Sequence, residues 1–275
     1  MQVCRAFLLL IALMLLPGFA SAQDGKLGTI VGQVRWEGAA PEIADFEVVA
    51  NRKDAGDVLS PLAGTTQLNP HRPRIGKSGG VADAIVWLEG IDAKRIDWKG
   101  EETRVEFEPK GLFVLQGQNI RPTGIVKRGD KIEVSNRDER YHALKVRGAN
   151  FFQLPLPKRN VPSRRAFTET GITELGCGGG FYWLRAYLYV SDSPFATTTD
   201  DAGFFRLNSV PPGNYRVVAW LPNWHVAGRD LDFESKQTLR LHFAPPVEKR
   251  TAVEAKAGSE TRVEAVFSAK EFTEK

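Results

Sequence analysis

An all-β chain is what this sequence predicts, and three observations carry that expectation. Apolar residues recur at short, two-residue spacing rather than with a helical period. Gly, Pro and Asn-Asp turn signals fall between those runs. No amphipathic stretch extends beyond two helical turns. Short strands at this spacing, punctuated by Gly and Pro, point to β-sandwiches. The chain has 275 residues, is 42% hydrophobic and 25% charged, and so has ample apolar material for one large or two modest cores.

Taken in order, Met1 to Ala22 reads as an export signal. Arg5 precedes an apolar run from Ala6 to Leu16, Pro17-Gly18 breaks it, and Ala20-Ser21-Ala22 gives a small-x-small cleavage site. The run is too short to span a bilayer as a helix. Cleavage after Ala22 would remove Cys4, Met1 and Met14, leaving one cysteine, Cys177, and no methionine. No later segment is apolar enough to cross a membrane, so the expected location is periplasmic or extracellular. The formal charge of +4 drops by one with Arg5, too small a value to argue for nucleic acid. The basic stretch 157–165, "PKRNVPSRR", reads as a solvated loop.

Strand signals follow. "TIVGQVRWEG" (29–38) is β-branched and closes on a glycine turn. Residues 51–80, rich in Gly, Pro and polar groups, read as a long ordered loop or linker rather than a domain of their own. "ADAIVWLEG" (82–90) is a nearly continuous apolar run, as a strand covered on both faces would be. In 124–148, Arg128-Gly129-Asp130 reads as a tight turn between strands rather than an adhesion motif. In 197–220, Asp-Ala-Gly and Pro-Pro-Gly-Asn turns separate alternating runs. Residues 251–267 read as a hairpin turning at Ala257-Gly258-Ser259.

The residues with chemistry to offer lie in two strands. In "YHALKV" (141–146), His142 shares a face with Leu144 and Val146 by the two-residue period. In "GITELGCGGGFYWLRAYLYV" (171–190), Cys177 feeds a strand whose Leu184, Ala186, Leu188 and Val190 face one way. A histidine on one strand and a cysteine at the start of the next can build a thiolate–imidazole metal site. The bland alternative is a buried thiol and a hydrogen-bonded histidine. An exposed lone thiol in an oxidising compartment would be oxidised or cross-linked, so burial, metal binding or an intermolecular bond is expected.

"IVKRGDKIEVSNRDERYHALKV" resembles the central stretch of cupredoxins, the plastocyanin-like blue-copper family. The resemblance implies a Greek-key sandwich over 81–190, with His142 as first copper ligand and Cys177 as the copper-binding cysteine. It then departs. Gly178 to Gly180 stand where the family's next histidine falls, and Leu184 stands about where its methionine would be. Three consecutive glycines are expected to leave a gap there. Of the other histidines, His71 lies in the Pro-rich loop and His242 is expected at the surface. His225, beside two tryptophans, is the best remaining third ligand. "TTTDDAGFFRLNSVPPGNYRVVAW" (197–220) is similar to carboxypeptidase-regulatory-like, or transthyretin-like, β-sandwich modules, and "IVGQVRWEGAAPE" to their first strand.

The expected organisation is therefore a signal peptide (1–22), N-terminal strands and loop (23–80), a cupredoxin-like domain (81–190) and a transthyretin-like module (191–275). If 23–80 and 191–275 form one sandwich, the cupredoxin-like part is inserted into it. No hydrolase, zinc-protease, phosphate-loop or dinucleotide motif is found, and an enzyme is not expected. The leading expectation is an exported binding or scaffold protein with an incomplete copper site. A copper-binding or electron-transfer protein using Cys177, His142 and a third ligand is the first alternative. A carbohydrate- or envelope-binding module, using exposed tryptophans among the six, Trp220 and Trp224 included, is the second. An envelope protein or polysaccharide is the partner each binding reading implies.

Overall fold

A computed structural model describes residues 26–48, 62, 64–92, 98–234 and 236–274; the expected signal Met1–Ala22, with Cys4, lies outside the described residues. The strands begin with β1 (Gly28–Glu37), β2 (Phe46–Glu47), β3 (Thr66–Gln67), β4 (Arg74–Ile75), β5 (Val81–Ala82) and β6 (Ile85–Glu89). Then come β7 (Thr103–Glu108), β8 (Gly111–Gln116), β9 (Asn119–Arg121), β10 (Thr123–Lys127) and β11 (Lys131–Asn136). Next are β12 (His142–Gly148), β13 (Phe152–Leu156), β14 (Ser163–Ala166), β15 (Gly171–Cys177) and β16 (Arg185–Ser191). The last are β17 (Ala196–Thr198), β18 (Phe204–Val210), β19 (Gly213–Leu221), β20 (Val226–Leu231), β21 (Thr238–Phe243), β22 (Val247–Ala255) and β23 (Glu260–Ser268).

Two sandwiches result. One pairs the sheet β10-β16-β15-β12-β13 with β14-β11-β7-β8-β9, all from residues 103–191. The other pairs β18-β1-β23 with β17-β6-β19-β22. In the second, β1 lies antiparallel to β18 and parallel to β23. The first sandwich is thus inserted between early and late strands of the second. The expected boundary at residue 81 is corrected by this pairing, because β6 hydrogen-bonds β17 and β19 of the outer sandwich. The continuous apolar run of β6 has a reason: Val86 and Leu88 enter the outer core, while Ile85 and Trp87 turn toward the inserted sandwich.

The turns behave differently from simple hairpin turns. β22 pairs with β19 and β23 with β1, so the 257–259 turn carries the chain from one sheet to the other, and the expected hairpin is an arch. The same crossing occurs from β17 to β18, from β18 to β19 and from β10 to β11. Gly203, at φ +80°, makes the β17–β18 arch possible, since a Cβ there would sit 2.4 Å from the Val34 carbonyl oxygen. Arg128-Gly129-Asp130 forms the tight β10–β11 turn, with the Asp130 amide donating to the Lys127 carbonyl at 3.1 Å. Alternation then fills the cores. In β18, Phe205, Leu207 and Val210 are buried while Phe204, Arg206 and Asn208 are exposed.

Aromatic pairs, an ion-pair network and a buried histidine join the sandwiches. Trp87 stacks on Tyr189 at 4.7 Å, and Tyr187 meets Trp220 edge-on at 4.9 Å. Burying such rings contributes about 1.5–3 kcal/mol each. Asp83, at φ +62°, receives Arg74 at 2.6 Å and Arg121 of β9 at 2.7 Å, with Asp201 closing the network. His71, expected in a loose loop, is buried: its Nδ1 lies 2.6 Å from the Asn223 carbonyl oxygen and its Nε2 2.8 Å from the Tyr187 hydroxyl. Nδ1–H therefore donates to Asn223, and Tyr187 donates to Nε2. The β20–β21 hairpin lays Phe243 against the His71 ring at 3.8 Å.

Candidate functional site

His142 and Cys177 meet at one end of the inserted sandwich. β12 and β15 are antiparallel neighbours, with Leu144 opposite Cys177, so His142 and Cys177 come together beyond the last paired position. His142 Nδ1 lies 3.3 Å from Cys177 Sγ. On its other side, Nε2 lies 3.1 Å from Asp138 Oδ2. An ionised carboxylate only accepts, so Nε2 carries the proton and the Nδ1 lone pair faces the thiol. The chain of donors is then Sγ–H to Nδ1, and Nε2–H to Asp138. The Gly179 amide also donates to Sγ at 3.2 Å.

The local sequence builds this arrangement. Asn136 accepts from the Asp138 amide at 2.9 Å and donates to the Arg140 carbonyl at 2.7 Å, tying the 136–140 turn into a fixed shape. Arg140 holds Asp138 at 2.6 Å. The His142 ring is fully buried, stacked on Phe107 at 4.6 Å and tilted against Phe181 at 4.8 Å. Burial pushes its pKa below the ordinary imidazole value, against the pull of Asp138. Burial likewise pushes the Cys177 thiol up, more than the amides of Gly179, Ala143 and Phe181 lower it. Burial opposes the Asp138 charge too, yet hydrogen bonds from Arg140 and His142 outweigh it and hold its pKa at about 2. At neutral pH the site is a neutral thiol, a neutral imidazole and a carboxylate.

A blue-copper centre needs two imidazoles and a thiolate with a weak axial donor. Here one imidazole and one sulfur converge, so the residues present do not fit that centre. Among the described residues no group of three or more His, Cys, Asp or Glu side chains is placed to hold a metal. His225 sits elsewhere: its ring lies against Trp224 of the outer core, and its Nδ1 is 3.8 Å from Glu274. Its position next to two tryptophans in sequence carries no information about the distant pole. Gly178 and Gly179 do not leave the expected gap. A Cβ at Gly178 would lie 3.1 Å from Gln153 Nε2, and one at Gly179 would lie 3.0 Å from the Tyr141 carbonyl and 3.4 Å from Cys177 Sγ. The glycines let neighbouring chain close over the sulfur.

The expected tryptophan platform is also corrected. Trp220 and Trp224 are 2% and 7% exposed, each engaged with core aromatics. Trp98, which no motif singles out, is half-buried at the rim of a cleft of about 1080 Å³ between the two sandwiches. Its signal in the sequence is only that it lies outside the alternating runs.

No family profile and no curated protein matches the sequence. Among solved structures, the chain is similar to a reduced mutant of amicyanin, with 18% identity and a TM-score of 0.27 over 38% of this chain and 98% of that one. It is similar to a purple cupredoxin from Nitrosopumilus maritimus, with 13% identity and a TM-score of 0.27 over 33% of this chain and 100% of that one. A copper-containing nitrite reductase from Thermus scotoductus SA-01 matches at 16% identity and a TM-score of 0.27, over 37% of this chain and 24% of that one. These three structures are matched over 33% to 38% of this chain.

Proposed function

We propose that this chain is an exported, non-catalytic binding or scaffold protein, built on a cupredoxin-like frame whose copper site is incomplete. One observation carries the reading: the two surviving donors are spent on each other. Cys177 donates to His142, His142 is anchored by Asp138, and the glycine backbone covers the sulfur. A thiol whose pKa burial raises is a poor nucleophile, which also argues against covalent catalysis at Cys177. The transthyretin-like character of the outer sandwich belongs to this reading, as a supporting module for an envelope protein or polysaccharide partner.

A second reading has its own support. His142 Nδ1 and Cys177 Sγ lie 3.3 Å apart, close enough that both would hold one copper ion were the thiol deprotonated. That reading needs a third donor from outside the described contacts. Titration of the reduced protein with Cu(II) separates the two. The scaffold reading expects no intense thiolate-to-copper absorption near the red end of the visible spectrum and no stoichiometric copper after desalting. Stoichiometric copper that is lost in Cys177→Ser would overturn it in favour of the second.

A further inference from the structure

We infer that the cleft between the two sandwiches is a binding site for a neutral oligosaccharide. This goes a step past the scaffold reading, on which it rests for the idea that the chain binds rather than transforms a ligand. The cleft, about 1080 Å³, is slightly larger than the range usual for a ligand pocket, with room for several sugar rings. Its walls come from different bodies, β8 to β10 of the inserted sandwich on one side and β1, β18 and β23 of the outer one on the other.

Charge decides the ligand class. The lining carries four basic and four acidic side chains, so it has no net sign. Five of the eight are already matched. Arg206 and Arg262 pair with Glu260 at 3.0 and 3.5 Å, Glu264 with Arg35 at 3.0 Å, and Arg121 with Asp83 at 2.7 Å. The lining offers no excess of either sign to attract a phosphate, a polyanion or a basic peptide, and its buried pair, Arg121 with Asp83, is costly to break, so a charged ligand is disfavoured. What is left to contact a ligand is aromatic surface and uncharged hydrogen-bonding groups. Trp98 stands on one wall, held by Nε1–H donation to the Asp192 carbonyl at 3.2 Å. Phe204 stands on the other, 54% exposed although it begins a strand. Around them lie the Asn119 amide, the Thr198 hydroxyl and Gln33, whose amide N–H is given to the Ala202 carbonyl and whose carbonyl oxygen is not engaged by another described residue. Flat apolar faces flanked by uncharged donors and acceptors suit the faces and hydroxyls of pyranose rings.

The Asp83 network sets the cleft's width. Arg121 reaches across from the inserted sandwich to Asp83 and Asp201 of the outer one, and Thr123 donates to the Asp83 carbonyl at 2.9 Å. The site is preformed, with both walls fixed before a ligand arrives.

The test is isothermal titration of the full chain with cellohexaose, chitohexaose and maltohexaose, each to about 10 mM, a range that captures millimolar affinity. Saturable binding of at least one glycan is expected, changing less than about twofold between low and high salt because no net charge is engaged. Trp98→Ala should weaken it about tenfold or more. Should Trp98→Ala fold poorly by thermal melting, Phe204→Ser carries the same expectation, its ring being largely in solvent. Absence of binding by all three glycans overturns the inference. So does binding that neither variant weakens, or a salt-sensitive preference for polygalacturonate or heparin. The copper titration reads the opposite end of the inserted sandwich, so either result leaves the other standing.

Discussion

Acid should pull the two sandwiches apart through His71. Its ring is buried between Asn223, Tyr187 and Phe243, and burial depresses its pKa from 6.5 to about 3, with Arg185 adding repulsion to any positive charge there. The sign follows from linkage: between pH 6.5 and about 3 the unfolded chain binds a proton that the folded chain refuses. Stability is therefore fully present above pH 6.5 and is lost as pH falls through the window. Each unit costs about 1.4 kcal/mol, so roughly 2 kcal/mol disappears between pH 7.5 and 5, and about 5 kcal/mol by pH 3. Urea unfolding at several pH values measures it, with His71→Phe as the comparison. That variant keeps the aromatic contact with Phe243 but leaves the Tyr187 hydroxyl and the Asn223 carbonyl unpaired. It should be less stable by about 2–4 kcal/mol at pH 7.5. Its deficit should shrink by about 2 kcal/mol at pH 5. Burial of His142 gives both proteins a further slope of the same sign, which cancels in the difference. A deficit that stays constant from pH 7.5 to 5 would refute the reasoning.

Other expectations concern the pole and the joint. Asp138→Asn should cost about 2 kcal/mol at neutral pH and remove the loss of stability expected of wild type between pH 4 and 2, since the folded carboxyl is held at about 2 and the unfolded one lies near 3.8; calorimetry at each pH checks it. Cys177 should react with a disulfide reagent only on unfolding, so its native labelling rate should rise steeply with denaturant. Gly179→Ala should destabilise by about 1–2 kcal/mol through its 3.0 Å approach to the Tyr141 carbonyl, seen as a lower melting temperature. Asp83→Asn should cost about 1–3 kcal/mol, because it takes from Arg121, 16% exposed, the closer of its two carboxylates and leaves only Asp201 at 3.3 Å, and hydrogen exchange should rise first in β9 and β10.

Strand content was legible in the residues because burial alternates where apolar and polar side chains alternate, as β18 illustrates. Pairing was not legible. The Ala257-Gly258-Ser259 turn suits a hairpin and an arch equally, and only the distant β1 and β19 select the arch. The meeting of His142 with Cys177 follows from neighbouring strands, whereas the place of His225 depends on which core takes Trp224. A run of glycines looks like vacant space in a sequence, yet backbone without side chains is what other backbone can approach most closely, and it did so around Cys177. His71 was hidden because its partners, Tyr187 and Asn223, are 116 and 152 residues away.

The place of β1 also dictates an order of events during synthesis. Both of its neighbours, β18 and β23, are made after the whole inserted sandwich, and Arg35 waits 229 residues for Glu264. The inserted body draws every strand of its two sheets from its own stretch and can condense while β1 still presents two bare edges. A chain cut short before residue 204, lacking both β18 and β23, would therefore do more than lack a tail. It would hold a finished inner body beside a naked, β-branched strand, ready to add to another chain's sheet.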